Sequence, residues 1–239
     1  MTIWTQNIGR EMLVTELPVI ASLSSLMHGE RFLLLSAEPA VVDSLSCHVR
    51  RGLFSSSDAI QKMSKFVPAS ESGVLPFKSQ FFDGIVIHHD LEKQSDPRQG
   101  LREAVRFLKP GGKLLLIGFN AFSFYVLRSW YSKFVSDDFS EYRFLNPFRL
   151  LDWFALLDLE LIETPKYGGL GFPISLNLKK ENYLTKFRVG ALAPNLVRYP
   201  FGGIMFMLAQ RKDLVRNMNL IKETRVRHLV PAASFRTTS

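Results

Sequence analysis

The stretch of sequence that decides the fold, residues 75–117, reads LPFKSQFFDGIVIHHDLEKQSDPRQGLREAVRFLKPGGKLLLI. Within it, the apolar run Phe82–Ile87 is rich in β-branched residues and predicts a strand that is buried on both faces. Residues 97–108 place apolar side chains at helical spacing, and residues 113–117 form a second apolar run. A strand, a helix and a strand in this order predict a βαβ unit with two parallel strands.

Both ends of the predicted helix carry capping signals. Asp96 is a typical N-cap residue, Pro97 fits the first helical position, and Gln99 stands where a capping box would place its partner. The segment KPGG at 109–112 predicts the end of the helix and a turn, because proline does not continue a helix and glycine accepts positive φ. A phosphate-binding loop is not indicated, since these glycines follow a helix instead of preceding one.

Composition favours one α/β domain with additions. The chain has 239 residues, of which 46% are hydrophobic, and this is enough for a sizeable core. Cys47 is the only cysteine, so a disulfide framework is excluded and a cytoplasmic setting is expected. We find no apolar run of about 18 residues that could cross a bilayer, and the first residues do not resemble a secretory signal.

The rest of the chain continues the alternation of helices and strands. Its patterns predict helices over 6–27, 40–46 and 147–157, and strands over 31–35, 48–54, 159–163 and 204–209. No helix separates the last two strands, which predicts an antiparallel ending on a parallel sheet. Ligands bind such sheets at the carboxyl ends of the strands.

We predict a domain over residues 1–210 with insertions or lids at 119–144 and 164–202. The aromatic side chains of 119–144 either pack in the core or line a surface for an apolar ligand or a membrane. Residues 211–239 carry seven Lys or Arg and two acidic residues, out of a net charge of +8 for the chain. This segment is predicted to be a flexible tail that could contact RNA or anionic lipid weakly.

Residues 71–114 resemble the class I S-adenosylmethionine (SAM)-dependent methyltransferases in their small bacterial form. Members of this family show an acidic residue, Leu-Pro-Phe, Phe-Asp, Leu-Glu, Asp-Pro and a helix that ends in Arg-x-Leu-Lys-Pro-Gly-Gly. This chain has the same features in the same order: Glu71, Leu75–Phe77, Phe82–Asp83, Leu91–Glu92, Asp96–Pro97 and Arg106–Gly112.

The resemblance implies a Rossmann-like α/β fold. Its mostly parallel, seven-stranded sheet would carry helices on both faces and an antiparallel last strand. The resemblance also implies that SAM is the cofactor and that a methyl group passes to a small-molecule or macromolecular acceptor, which the sequence does not identify. Such enzymes mainly align the acceptor with the methyl group, so no catalytic residue is assigned.

The resemblance further implies which residues bind the cofactor: Ser36, Ala37, Glu38, Glu71, Ser72 and His88. The family's glycine-rich turn after the first strand is replaced here, with Ser36, Glu38 and Ala40 at the glycine positions. Two interpretations therefore stay open. The SAM site is remodelled, or it is lost and the protein is an inactive methyltransferase-like scaffold or binding protein.

His88 and His89 raise the question of a metal site. Adjacent side chains of a strand point to opposite faces, so we expect that the two imidazoles do not share a metal, and no metal is predicted. The alternatives are that one of them lines the pocket, that one is a general base, or that both only pack at the strand end.

Overall fold

A computed structural model of the chain describes residues 7–36, 38, 40–46, 48–55, 77–123, 126, 142–168 and 202–213. Within these residues the helices are α1 (Asn7–Ser24), α2 (Ala40–Ser44), α3 (Pro97–Phe107) and α4 (Pro147–Leu156). The strands are β1 (His28–Ser36), β2 (His48–Ser55), β3 (Phe82–His88), β4 (Leu108–Phe119), β5 (Leu159–Leu161), β6 (Lys166–Gly168) and β7 (Ile204–Arg211). A short 3-10 turn, Leu91–Lys93, follows β3.

The described strands form one mixed sheet in the order β2-β1-β3-β4-β7-β5. Strands β1 to β4 pair in parallel, and β7 is antiparallel to β4. On its other edge β7 pairs with β5 through residues 209–211 and with β6 through residues 204–206. The predicted α/β class and the antiparallel last strand are therefore confirmed, and the described part of the sheet is six strands wide.

The two faces of the sheet carry separate apolar cores, because side chains alternate along each strand. On one face Phe32, Leu34 and Val86 pack with the apolar residues of α1 and with Val41 of α2. On the other face the neighbouring strand residues pack against α3 and α4. Helices thus lie on both faces, as predicted.

The helix caps that the sequence predicts are present. Asp96 accepts hydrogen bonds from the backbone N–H of Arg98 and Gln99, at 3.0 and 3.2 Å, and Pro97 is the first residue of α3. Asn146 caps α4 in the same manner, with Pro147 after it.

The turn predicted at residues 109–112 is wrong. Helix α3 ends at Phe107 and the chain enters β4 directly, because Leu108 is buried and pairs with Phe82. Regular pairing resumes between Lys113 and Gly84, so residues 109–112 bulge out of the strand, with Gly111 at a φ of 77°. The Lys109 ammonium lies 2.6 Å from the Asp83 carboxylate and holds the bulge against β3.

The predicted tail begins one residue too early, since Arg211 is the last residue of β7. Its guanidinium donates to the carbonyl oxygens of Val105 and Leu108, which ties it to the end of α3. Residues 214–239 lie outside the described residues, so the contact with RNA or lipid stays a prediction. Within the described part of the chain, no helix has the length and hydropathy needed to cross a membrane.

Candidate functional site

Two of the predicted site residues meet at the carboxyl edge of the sheet. Ser36 ends β1, His88 ends β3, and the two residues are paired in the parallel register. Ser36 Oγ lies 3.0 Å from His88 Nδ1, and both residues are almost fully buried. The predicted residues Ala37, Glu71 and Ser72 lie outside the described residues.

Glu38 shapes the turn that follows β1. Its backbone N–H donates to Ser36 Oγ at 3.0 Å, and its carboxylate accepts from the backbone N–H of Ala40 at 3.4 Å. The Ser36 side chain therefore points into the protein, whereas the half-buried Glu38 carboxylate stays beside the first residue of α2.

Sequence reasoning did not single out Glu16, which lies in the middle of this edge. Glu16 belongs to α1, and its side chain is fully buried. His88 Nε2 donates to one oxygen of the Glu16 carboxylate at 2.8 Å, and His89 Nε2 donates to the other at 3.2 Å. One signal was available in the sequence. Glu16 falls four residues after Met12 and four before Ile20, on the apolar face of the helix.

The expectation that His88 and His89 point apart is wrong. His89 follows the last residue of β3 and has a φ of 50°, so the strand alternation stops before it. Both imidazoles therefore reach Glu16. His89 Nδ1 also donates to Glu92 Oε1 at 3.0 Å, and Glu92 accepts from the backbone N–H of Phe119 as well.

We refer to Ser36, Glu16, His88, His89 and Glu92 as the histidine–glutamate cluster. Burial alone raises the pKa of Glu16, but the charge of His89 and hydrogen bonds from both histidines lower it to about 2. Burial alone lowers the pKa of His89, but the Glu92 and Glu16 carboxylates raise it to about 10. For His88, burial outweighs Glu16 and keeps the pKa below its usual value. These directions favour the protonated form of His89 and the neutral form of His88 at pH 7.

The cluster brings together three side chains that can ligate a metal ion. One ligand atom each from Glu16, His88 and His89 can be chosen so that all three lie within 4.8 Å of one another. All three side chains are buried, so they support the edge of the sheet from within.

The third part of the edge, after β4, is held by Asn120. Its side chain donates to the Gly202 carbonyl oxygen at 2.8 Å and accepts from the Phe122 N–H at 2.9 Å. Among the described aromatic residues of 119–144, Phe119 and Tyr142 are buried, whereas Phe122 is 43% exposed. Phe119 stacks on His89 at 4.1 Å between ring centroids, so this part of the stretch belongs to the core.

Comparison with known families gives a match to the methyltransferase domain over residues 31–116. This segment contains the β1 to β4 core and the histidine pair. The resemblance to class I methyltransferases that residues 71–114 carry is confirmed by this match and by the fold.

Two curated relatives illustrate the similarity. The chain is 38% identical over 82 residues to the ubiquinone/menaquinone biosynthesis C-methyltransferase UbiE of Bordetella parapertussis, a match that covers 30% of this chain and 31% of the relative. It is 33% identical over 96 residues to the uncharacterized protein YafS of Escherichia coli, with 40% of each chain covered. The chain thus spans about a third of the length of the curated relatives that it matches.

Among solved structures, a SAM-dependent methyltransferase of Thermotoga maritima, described as a possible histamine N-methyltransferase, has the same fold. The TM-score is 0.58 at 18% identity, and the superposition covers 85% of this chain and 90% of that one. At this identity the similarity concerns the fold alone.

Proposed function

We propose that this chain, whose residues 31–116 form a class I methyltransferase domain, transfers a methyl group from SAM to an acceptor. The observation that supports this most directly is the sheet order β2-β1-β3-β4 with β7 antiparallel beside β4. In such a sheet the carboxyl ends of β1 and β3 form the ligand-binding edge. The chain places polar side chains at that edge.

In the turn after β1, Ser36 is compatible with bound SAM, whereas the charge of Glu38 is unfavourable. Ser36 replaces a glycine, but its side chain is buried against His88, so it adds no bulk on the outer side of the edge. Glu38 replaces a second glycine and holds a carboxylate at the start of α2. SAM itself carries a carboxylate, so a nearby acidic side chain opposes its binding.

In this proposal the turn 36–40 and the end of β2 hold SAM, and Glu71 with Ser72 contacts its adenosine part. SAM supplies an electrophilic methyl group, and the protein contributes mainly position and orientation. The histidine–glutamate cluster contributes indirectly. It fixes the end of β3 to β1 through Ser36 and to α1 through Glu16, at 3.0 and 2.8 Å from His88.

Glu38 also supports a second candidate function, a methyltransferase-like protein that does not bind SAM and acts as a scaffold. Two carboxylates that approach to about 4 Å repel by about 1–4 kcal/mol between water and a partly screened site. A repulsion of that size lowers affinity by about 5- to 1,000-fold.

Calorimetric titration of the full chain with SAM and with S-adenosylhomocysteine separates the two functions. We expect a dissociation constant in the micromolar range for the wild type. Glu38→Gln removes the charge and keeps the size, so it should tighten SAM binding at least fivefold. Glu160→Gln is the matched control, because Glu160 is exposed on β5 at the other side of the sheet. Absence of heat from both wild type and Glu38→Gln up to millimolar SAM would contradict the methyltransferase and favour the scaffold.

A further inference from the structure

We propose that the histidine–glutamate cluster is a zinc site in which His88 Nε2, His89 Nε2 and the Glu16 carboxylate bind one Zn²⁺. Two imidazoles and one carboxylate are a ligand set that zinc takes in proteins, with a water molecule in the fourth position. The site would lie inside the domain, between α1 and the carboxyl end of β3. The inference of a zinc site does not depend on the methyl transfer proposed above.

The separations between the ligand atoms are close to those of a metal centre. Tetrahedral zinc with bonds of about 2.0–2.2 Å places neighbouring ligand atoms about 3.3–3.5 Å apart. Here the Glu16 oxygens lie 2.8 Å from His88 Nε2 and 3.2 Å from His89 Nε2. These two separations would have to widen by about 0.1–0.7 Å to admit the ion. Ligand atoms of the three residues can be chosen within 4.8 Å of one another.

Both imidazoles also have the outer partners that orient metal-binding histidines. Histidine ligands usually donate their second ring N–H to a carboxylate or another oxygen, which fixes the tautomer. His89 Nδ1 lies 3.0 Å from Glu92 Oε1, and His88 Nδ1 lies 3.0 Å from Ser36 Oγ.

Ser36 can serve both tautomers of His88. Its oxygen already accepts from the Glu38 N–H at 3.0 Å and can accept a second hydrogen bond from His88 Nδ1. Its own hydroxyl hydrogen then has the Glu38 carbonyl oxygen as partner, 3.4 Å away. His88 Nε2 would thus keep its lone pair free for the metal.

Charge balance in the cluster also favours a divalent cation. The side chains of Glu16 and Glu92 are both fully buried, and isolated buried charges are costly. Both carboxylates lie against the histidine pair, at 2.8 and 3.2 Å for Glu16 and 3.0 Å for Glu92. One Zn²⁺ with two neutral imidazoles compensates both carboxylates. Zinc would then tie α1 to the end of β3, because its ligands come from both elements.

The test uses the full chain after treatment with a chelator. Titration with zinc chloride, followed by elemental analysis after gel filtration, should give one zinc per chain. At a free zinc concentration of 100 times Kd, we expect Tm to rise by about 5–10 °C. Glu16→Gln and His89→Gln should abolish this rise. Glu92→Gln, which removes only an outer partner, should weaken zinc binding about 10- to 100-fold.

His28→Gln is the control, because His28 is exposed at the start of β1, and it should bind zinc like the wild type. X-ray absorption at the zinc edge of the wild type covers the case in which a cluster variant does not fold. It should show two imidazole ligands. Less than half an equivalent of bound zinc, or an absorption spectrum without imidazole scattering, would overturn the proposal.

Discussion

Among single residues, the histidine pair shows which contacts can be predicted from the sequence and which cannot. His88 and Ser36 could be predicted to meet, because parallel neighbours end at one edge of a sheet. Glu16 could not be paired with them, since it lies 72 residues before His88 and its partners depend on how α1 docks. The positive φ of His89, rare for a residue other than glycine, carries no local signal in the sequence.

Asp83 offers a direct test of a polar link between strands. Its carboxylate accepts from the N–H groups of Glu30 and Arg31 at 3.0 and 3.1 Å, and from the Lys109 ammonium at 2.6 Å. We expect Asp83→Asn to lower the free energy of unfolding by about 1–3 kcal/mol, because hydrogen bonds to a charged group are lost. Urea unfolding at pH 7 measures this loss.

The effect of Asp83→Asn should depend on pH. Partial burial by itself raises the pKa of Asp83, but the hydrogen bonds from Lys109 and from the two backbone amides lower it below its usual 3.8. Since the pKa is lower in the folded state, the stabilisation is complete above about pH 5 and disappears as the pH falls through the folded-state value. The stability difference between wild type and variant should therefore shrink below pH 4. A difference that stays constant down to pH 2.5 would refute this assignment.

At the scale of whole elements, the helix caps could be predicted from the sequence, whereas the register between β3 and β4 could not. The caps of α3 and α4 depend on neighbours in sequence, so Asp96 and Asn146 could be predicted. The bulge at 109–112 depends on how β4 pairs with β3, and a Pro-Gly-Gly sequence suits a turn equally well. The register in which β4 pairs with β3 produces the bulge instead of the turn. This register cannot be deduced from the sequence.

The cap of α3 gives a prediction at this scale. Asp96→Ala removes the acceptor for two backbone N–H groups at 3.0 and 3.2 Å, and it should lower the free energy of unfolding by about 0.5–2 kcal/mol. Asp152→Ala, at an exposed position within α4, is the matched control and should change stability by less than 0.5 kcal/mol. Chemical denaturation followed by circular dichroism compares them. Equal losses in both variants would exclude a capping effect.

For the molecule as a whole, the alternation of strands and helices was enough to predict a mostly parallel α/β sheet with an antiparallel ending, but not its strand order or β6. What it could not show is how β7 connects the two cores. Ile204, Phe206 and Leu208 belong to the core under α1, whereas Met205, Met207 and Ala209 belong to the core under α3 and α4.

Removal of β7 should therefore unfold both sides of the sheet together. A chain that ends at residue 203 should lose cooperative thermal unfolding and should bind a hydrophobic dye, because β4 and both cores lose the buried residues 204–209. A chain that ends at residue 213 retains β7 and is the control. Cooperative unfolding of the shorter chain would show that the sheet is complete without β7.

The place of β7 has a consequence for how the protein is made. β7 pairs with β4 along residues 113–119, yet it is synthesised more than 80 residues later. During translation the edge of β4 is thus finished long before its neighbour leaves the ribosome, and an open edge is a template for wrong pairing. The growing chain stays exposed to aggregation over this interval, and chaperone binding in the cell should be strongest for nascent chains in which β4 has left the ribosome and β7 has not.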